Sequence, residues 1–318
     1  MSNVSAPKLI LCEPEDFSPQ GLSLLSDRFE LSIGPFTRPQ LEAELIDADV
    51  LFVRLSHMID AELLHKTNGL RVIVSPTTGL NHIDCGTATK MGIEIISLRG
   101  EGQLLADIFS TAELTWGLLL SLVRRIGPAH KSVIDGEWNR QSFRGQDLYR
   151  KTIGIVGLGR LGKMVATYAR AFGMRVIYHD PLVEVANYTK TSSLVSLCSD
   201  ADVVSLHANW SAENNRFFNE TCFGAMKPST FFINTSRGEL VDECALHRAL
   251  CEKRIAGAAV DVLCEENDKS VTSSRLLKSY AKTHDNLIIT PHVGGATLDS
   301  MQRTELHLTR KLLSLESR

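Results

Sequence analysis

The sequence has no excess of charge of either sign and no segment typical of export. Its 34 Lys and Arg residues nearly balance its 37 Asp and Glu residues, which gives a formal net charge of −3. A near-neutral chain is not built mainly to bind nucleic acid or an anionic membrane. The N-terminus has only a short apolar run, residues 9–12, which is too short for the core of a signal peptide. We therefore expect a cytoplasmic protein with neither a nucleic-acid nor a membrane partner.

Long uninterrupted apolar runs are also missing. The most apolar long segment, residues 104–123, contains Asp107 and Glu113 and is followed by two arginines. A membrane-spanning helix needs roughly 20 predominantly apolar residues with few or no charges. We interpret this segment as an amphipathic helix that is buried in the protein.

Cysteine pairs with the spacing of a metal or redox site are absent. The seven cysteines are scattered, their number is odd, and none forms a C-x-x-C motif. In a chain without export signals this pattern favours reduced thiols, and we predict no bound metal. Cys264, close to the catalytic segment described below, is interpreted as a small packing residue.

Short apolar runs alternate with helical segments in two series along the chain. The predicted strands are residues 8–12, 50–53, 71–75 and 93–97, followed by 153–156, 175–178, 202–207, 230–233, 257–262 and 286–289. Strands that alternate with helices favour parallel pairing in an α/β fold. One helix is predicted over residues 104–126 and another over 297–315, with Thr297 as its N-cap. The sequence therefore predicts two Rossmann-like domains, with residues 106–292 inserted into a domain made of 1–105 and 293–318.

A glycine-rich turn lies between the first strand of the second series and the helix after it. Residues 157–162 read G-L-G-R-L-G, and this strand–turn–helix context is required of a dinucleotide-binding site. Gly157 allows the tight turn, Gly159 allows close approach of a pyrophosphate, and Gly162 allows the helix to pack on the strand. Free N–H groups at the helix N-terminus favour phosphate binding.

An acidic residue follows at the spacing expected for the adenosine ribose. Asp180 ends the next strand, 18 residues beyond Gly162, close to the roughly 20 that are usual. A carboxylate there accepts hydrogen bonds from both ribose hydroxyls and repels a 2′-phosphate. The next basic residue is Lys190. We therefore predict NAD, not NADP, as the cofactor.

Three further blocks follow the glycine motif in order, at residues 233–242, 257–262 and 291–297. With them, the chain from about residue 8 to 312 resembles the D-isomer-specific 2-hydroxyacid dehydrogenase family, which includes D-3-phosphoglycerate dehydrogenase and hydroxypyruvate reductase. The resemblance implies hydride transfer between NADH and a small 2-keto acid, giving a D-2-hydroxy acid. It also implies a flavodoxin-like substrate domain beside the NAD-binding domain, and a homodimer that pairs through the apolar helix.

The family's catalytic arginine, glutamate and histidine match Arg237, Glu266 and His292. These residue types suit the reaction, since a protonated histidine can give a proton to the carbonyl oxygen. A neighbouring carboxylate stabilises the imidazolium and orients the ring. An arginine holds a carboxylate and a carbonyl in a two-point fork. Each residue lies after a predicted strand, where open parallel sheets bind ligands.

The resemblance also implies a wider set of binding residues. For the cofactor these are Thr78, Gly157, Gly159, Arg160, Leu161, Gly162, Asp180, Ala208, Thr235, Ser236, Asp261, Gly294 and Gly295. For the substrate they are Arg54, Ser75, Thr77, Thr78, Gly79, Arg140, Arg237 and His292, of which residues 75–80 form the loop that receives the carboxylate through backbone N–H groups.

The sequence departs from the family at several points. Ser75 stands where phosphoglycerate enzymes tend to have an arginine, which weakens a phosphate site. Asn209 and Asn267 replace usual prolines, and residues 268–284 form a predicted loop that is longer than typical.

Arg54 and Arg140 favour a substrate with a polar or anionic tail at C3, with 3-phosphohydroxypyruvate, hydroxypyruvate and glyoxylate as candidates. An NAD(H)-sensing corepressor or scaffold on the same fold, and a phosphonate dehydrogenase, remain alternatives. The glutamine–histidine pair of formate enzymes is replaced here by Glu266.

Overall fold

The structure is a computed structural model that describes residues 6–264, 266 and 272–316. Its internal contacts divide the chain into two units. The first contains residues 1–108 and 297–318, and the second contains residues 109–296. These boundaries lie three and four residues beyond those expected from the sequence, and the assignment of one unit to the substrate and the other to the cofactor stays a prediction.

Strands and helices alternate along nearly the whole chain. The strands are β1 (Lys8–Leu11), β2 (Glu30–Ile33), β3 (Val50–Phe52), β4 (Val72–Ser75), β5 (Glu94–Ser97), β6 (Thr152–Val156), β7 (Arg175–His179), β8 (Thr189–Lys190), β9 (Val203–Leu206), β10 (Phe231–Asn234), β11 (Gly257–Val260) and β12 (Leu287–Ile289). The helices are α1 (Pro19–Ser26), α2 (Arg38–Leu45), α3 (Ala61–His65), α4 (Cys85–Lys90), α5 (Gly102–Ala106), α6 (Ser110–Val123), α7 (Ile126–Ile134), α8 (Arg160–Ala171), α9 (Leu194–Asp200), α10 (Glu220–Ala225), α11 (Glu243–Cys251), α12 (Thr272–Ala281) and α13 (Leu298–Glu316).

The first unit is built on a five-stranded parallel sheet in the order β2-β1-β3-β4-β5. This is the flavodoxin-like strand order. Strand β2 was missing from the sequence prediction because it is an edge strand that is partly exposed and includes Glu30 and Ser32, so it forms no continuous apolar run. The helix α13 packs on α1 and buries Leu308 and Leu312, as expected for a segment that returns to the first domain.

The second unit is built on a seven-stranded parallel sheet in the order β12-β11-β10-β9-β6-β7-β8. Six of these strands have the order of a dinucleotide-binding fold, and β12 extends it by one strand. The sheet is buried on both faces, which explains why its central strands are apolar throughout. The strand order reverses beside β6, so the loop after β6 lies at the switch point where such sheets bind ligands. The predicted α/β class is confirmed.

The apolar segment at residues 104–126 is not one helix. The chain leaves α5 at Ala106 and starts α6 at Ser110, and Arg125, with φ of +52°, separates α6 from α7. Residues Gly102–Val123 are long and apolar enough to cross a membrane, a test that core helices of soluble proteins also pass, and half of the segment is buried. Trp116, Leu119 and Leu122 of α6 lie in the core of the second unit, which accounts for the apolar composition.

The predicted loop at residues 268–284 is largely wrong. Residues 267–271 lie outside the described part of the chain, but α12 occupies Thr272–Ala281. Its Leu277 is fully buried and Tyr280 nearly so, in the same core as α11. The sequence signal was weak because most residues of this helix are polar and exposed.

Candidate active site

The loop after β6 has the geometry that its glycines require. Gly157 adopts φ of +88°, and a Cβ there would lie 2.8 Å from the backbone nitrogen of Ala208. A Cβ on Gly162 would lie 2.2 Å from the carbonyl oxygen of Gly157. Gly159 faces open space and is the N-cap of α8 without a side-chain cap. The first turn of α8, which contains Arg160 and Leu161, has no side-chain cap from Gly159, and a helix N-terminus of this kind suits a phosphate.

Asp180 holds this glycine loop in place. The side chain is nearly buried, and its Oδ2 accepts a hydrogen bond from the backbone N–H of Leu158 at 2.8 Å. Its Oδ1 accepts from the N–H groups of Leu182 at 2.8 Å and Val183 at 3.0 Å. A carboxylate offers about four acceptor positions. Three are used within the protein, a role that the sequence spacing did not reveal, and one is left for an external hydroxyl.

Glu266 and His292 are in direct contact. The Nδ1 atom of His292 lies 2.7 Å from Oε2 of Glu266, and both side chains are partly exposed, at 25% and 33%. The other oxygen of Glu266 accepts a hydrogen bond from the backbone N–H of Leu263 at 3.2 Å. In this arrangement Nδ1 of His292 carries a hydrogen and donates it to Glu266. The other ring nitrogen, Nε2, faces away from the glutamate.

Asp261 shapes the loop that carries the histidine. His292 adopts φ of +56°, which is uncommon for a residue with a side chain, and donates its N–H to the Asp261 carbonyl at 2.9 Å. The Asp261 side chain is buried and accepts from Thr290 Oγ1 at 2.6 Å, Val293 N at 2.9 Å and Gly294 N at 2.8 Å. The carboxylate thus serves as the hydrogen-bond acceptor for three donors of one loop. Asp261 was expected only as a cofactor residue implied by the family resemblance, and its role in holding this loop was not predicted from the sequence.

Arg237 lies in a turn that packs against the glutamate segment. Asn234 folds this turn, because its Oδ1 accepts from the N–H of Ser236 at 3.0 Å and its Nδ2 donates to the Arg237 carbonyl at 3.0 Å. A Cβ on Gly238 would lie 2.0 Å from the carbonyl carbon of Leu263, so the two turns touch through their backbones. Arg237 is half-buried, and its Nη1 donates to the Ser236 carbonyl at 2.6 Å.

Two threonines of α6 tie the end of β10 to the histidine loop. Thr115 donates to the Thr111 carbonyl at 2.7 Å, so its hydroxyl can only accept from the buried Thr235, at 2.7 Å. Thr111 donates to the Gly294 carbonyl at 3.0 Å. Among the predicted cofactor residues, Thr235 and Gly294 are therefore buried parts of this network, and Gly295 is exposed.

In the first unit, residues 77–80 form a loop whose carbonyl groups are all held. The four carbonyls accept hydrogen bonds in turn from Leu98 N at 3.1 Å, Arg99 Nε at 3.1 Å, Thr77 Oγ1 at 2.7 Å and Ile83 N at 3.0 Å. Within the described chain, the backbone N–H groups of residues 77–80 donate to no acceptor. Successive N–H groups of this kind form a concave binding place for an anion.

Arg54 is engaged inside the first unit. Its Nη2 pairs with Glu305, which is fully buried, and its Nη1 donates to the Glu15 carbonyl at 3.1 Å. Glu305 also accepts from the backbone N–H of Ser18 at 2.8 Å, and burial raises the pKa of its carboxyl despite the arginine. Arg140, in contrast, is exposed on a short 3-10 turn at Arg140–Phe143 in the second unit.

Comparison with known proteins identifies relatives over the whole length of the chain. Residues 116–294 match the family model described as D-isomer specific 2-hydroxyacid dehydrogenase, NAD binding domain. A glyoxylate reductase from Thermococcus onnurineus is 32% identical, over 98% of this chain and 93% of the relative. A D-3-phosphoglycerate dehydrogenase from Methanocaldococcus jannaschii is 34% identical over 93% of this chain, which spans only 55% of that relative. The crystal structure of a D-lactate dehydrogenase from Aquifex aeolicus with NAD and lactic acid has a TM-score of 0.84 and 29% identity, covering 97% and 95% of the two chains.

Proposed function

Because the chain belongs to the D-isomer specific 2-hydroxyacid dehydrogenase family and matches the model of its NAD binding domain, we propose that it reduces a compact 2-keto acid with NADH. The observation that carries the proposal is the contact between His292 and Glu266 at the carboxyl end of the second unit's sheet. An imidazole oriented by a carboxylate is the acid–base pair that carbonyl reduction requires.

The residues of the second unit divide the chemistry between them. Bound NADH supplies the hydride that adds to the keto carbon. His292 donates the proton from Nε2 to the keto oxygen, while Glu266 holds Nδ1–H and stabilises the imidazolium. Arg237 orients the substrate through a charge-assisted hydrogen bond. The products are a 2-hydroxy acid, of D configuration where C2 is a stereocentre, and NAD, and the histidine regains its proton from solvent.

The cofactor contacts proposed here fit the geometry of the loops. The first turn of α8, from Gly159 to Gly162, receives the pyrophosphate, and Asp180 offers its remaining acceptor position to the ribose. The backbone at Ala208 lies directly beside Gly157 and borders the same place. Further proposed cofactor contacts in the second unit are Thr235, Ser236, Asp261, Gly294 and Gly295, and the cofactor contact of Thr78, in the first unit, stays a prediction from the family resemblance.

The charges of the first unit favour a compact substrate. The N–H groups of residues 77–80 suit the carboxylate that every 2-keto acid carries. Arg54 shares its charge with the buried Glu305, and Ser75, where an arginine would favour a phosphate, is fully buried. We therefore propose glyoxylate or hydroxypyruvate ahead of 3-phosphohydroxypyruvate.

Association into a homodimer is part of the proposal. Large apolar side chains are exposed along α7 and after it: Ile126, Val133, Ile134 and Trp138, the last at 88%. A groove of about 630 Å³ beside them is lined by Leu120, Arg124, Ile126, Ala129, His130 and Val133. An exposed apolar surface of this kind is typical of a protein interface, and a second copy of the chain is the proposed occupant. The cytoplasmic location stays a prediction from the sequence.

The test is a screen of NADH oxidation with glyoxylate, hydroxypyruvate, 3-phosphohydroxypyruvate, pyruvate, oxaloacetate and 2-oxoglutarate, each followed by the loss of NADH absorbance. We expect the highest kcat/KM for glyoxylate or hydroxypyruvate. Turnover of none of the six would contradict the proposed function. A preference for 3-phosphohydroxypyruvate that disappears in Arg54→Ala would show that Arg54 leaves Glu305 to bind the phosphate.

A further inference from the structure

The buried side chains of His82 and Ser75 are connected through the half-buried Thr77 to the loop at residues 77–80, which we propose binds the substrate carboxylate. We propose that His82 is a positioning residue for substrate binding, acting through Ser75 and Thr77 on the conformation of this loop. The inference rests on the proposed function, because it assigns the loop to the substrate carboxylate. None of the three side chains is required to touch the substrate.

The three side chains form one continuous hydrogen-bonded chain. The Nε2 atom of His82 lies 3.1 Å from Oγ of Ser75, and this oxygen lies 2.9 Å from Oγ1 of Thr77. Thr77 Oγ1 lies 2.7 Å from the carbonyl oxygen of Gly79, to which it donates. His82 is 5% exposed and Ser75 is fully buried, so water does not compete for the bond between them, and the two bonds of Thr77 are partly buried. The chain thus runs from the core of the unit to the backbone of the loop.

The position of each proton in this chain follows from counting donors. A hydroxyl has one proton, and Thr77 gives its proton to Gly79, so Thr77 can only accept from Ser75. Ser75 has then used its own proton and can only accept from His82. His82 must therefore carry a proton on Nε2. The three bonds point in one direction and strengthen one another, as in other hydrogen-bonded chains in a low-dielectric interior.

The last bond of this chain decides which way the loop's peptide groups face. With the Gly79 carbonyl turned inward to Thr77 and the Thr78 carbonyl held by Arg99, the N–H groups of residues 77–80 are left without acceptors inside the described chain. A peptide that rotated by half a turn would present a carbonyl oxygen to the substrate carboxylate instead. The chain from His82 therefore favours the one loop conformation that binds an anion.

The experiment compares variants that break the chain with variants that keep it. Thr77→Val removes the hydroxyl with little change in shape, whereas Thr77→Ser keeps it. His82→Leu removes the donor, whereas His82→Gln keeps an N–H at similar reach. Steady-state kinetics with the best 2-keto acid of the screen would be combined with inhibition by oxamate, a carboxylate that is not reduced, and with NADH binding.

We expect Thr77→Val and His82→Leu to raise both KM and the oxamate inhibition constant about tenfold, since one intramolecular hydrogen bond is worth up to about a factor of ten in affinity. Loss of binding that is shared by ground state and transition state leaves kcat nearly unchanged. Thr77→Ser and His82→Gln should restore values within about threefold of the unmodified protein. Far-UV circular dichroism and Tm, measured for each variant, report whether the first unit is folded, and NADH affinity should change little because most of its proposed contacts lie in the second unit.

The two proposals fail in different ways. If the unmodified protein reduces no 2-keto acid, the proposed function is wrong. If it does, but Thr77→Val and His82→Leu keep KM and the oxamate constant within twofold, the positioning role is wrong. Equal losses in Thr77→Ser and Thr77→Val would also overturn it, because they would show that side-chain shape, and not the hydroxyl, is what matters.

Discussion

The imidazole of His292 is bonded through Nδ1 to a carboxylate oxygen of Glu266 at 2.7 Å, although the two residues are 26 positions apart in the chain. We expect His292→Ala to lower kcat by about 10²- to 10⁴-fold, the usual contribution of a general acid. NADH binding, measured by fluorescence titration, should remain within a few-fold. A kcat within tenfold of the unmodified protein would show that another group donates the proton.

The same contact predicts the effect of Glu266→Gln. An amide oxygen accepts the Nδ1–H without the charge that strengthens the bond to a carboxylate, so the imidazole is held less firmly. We therefore expect kcat for keto-acid reduction to fall in this variant, while NADH binding is kept. The control is Glu239→Gln, which removes a carboxylate close in sequence to Arg237 but leaves the His292 contact intact. An unchanged kcat in Glu266→Gln would contradict the assigned role.

Asp261 is expected to control activity through the histidine loop. In Asp261→Asn the single amide oxygen cannot satisfy three donors, from Thr290, Val293 and Gly294. We expect kcat to fall by about 10- to 100-fold, because the ring of His292 loses its fixed position. The matched control is Thr290→Val, which removes one of the three bonds and should have a smaller effect. Equal kinetics in Asp261→Asn and the unmodified protein would show that the loop is held by other contacts.

The pair Arg54–Glu305 predicts a pH-dependent loss of stability. In Arg54→Ala the fully buried Glu305 carboxylate has no charged partner, and breaking such a pair typically costs about 3–5 kcal/mol. Without the arginine, burial raises the pKa of Glu305 further above its ordinary value, although the hydrogen bond from Ser18 remains. The unfolded state then loses this proton at a lower pH than the folded state does. The variant should therefore be relatively more stable near pH 5 and lose stability as the pH rises toward 8.

Thermal or denaturant unfolding at both pH values measures this effect. The double variant Arg54→Ala with Glu305→Gln removes the buried charge and should regain part of the stability at pH 8. Arg54→Ala that is equally stable at both pH values would contradict the assignment. The kcat/KM for glyoxylate in the folded variant should change by less than about threefold, since the arginine is directed to Glu305.

Asp180 should affect both the cofactor preference and the glycine loop. We expect Asp180→Ser to raise the KM for NADH and to reduce discrimination against NADPH, because the repulsion of a 2′-phosphate is removed. The control is Glu184→Gln, which removes an exposed carboxylate four residues further along. The Tm of Asp180→Ser should also fall, because three backbone N–H groups lose their acceptor. A preference for NADPH in the unmodified protein would overturn this prediction.

The exposed apolar face of α7 predicts the association state. Static light scattering should give about twice the mass of the 35.1 kDa chain. Ile134→Asp places a charge in the proposed interface and should shift the protein toward the monomer. The control is Ile46→Asp, at an isoleucine of the first unit that is 49% exposed, and this variant should keep the mass of the unmodified protein. A monomeric unmodified protein at micromolar concentration would contradict the proposal.

The sequence alone predicted the local structure correctly where the backbone geometry of a short segment permits only certain residue types. The glycines at 157 and 162 occupy positions where a side chain would collide with backbone, and their spacing between an apolar run and a helical segment predicted the strand–turn–helix. The apolar strands of the second unit, which alternate with helices, likewise predicted a parallel sheet in an α/β fold. Edge strand β2 and the polar helix α12 were not predicted because little of their surface is buried. An element that buries few side chains needs few apolar residues, so its sequence shows no clear apolar periodicity.

Only the tertiary structure showed which polar groups form hydrogen bonds or ion pairs with one another. Arg54 was expected to face the substrate, yet it pairs with a carboxylate 251 residues away, and no sequence pattern records that pairing. Asp180 and Asp261 bind backbone N–H groups of neighbouring loops, and the direction of the chain from His82 to Gly79 follows only from the distances. The physical reason is that a hydrogen bond depends on position within a few tenths of an ångström, whereas a sequence records only which groups are available to form one.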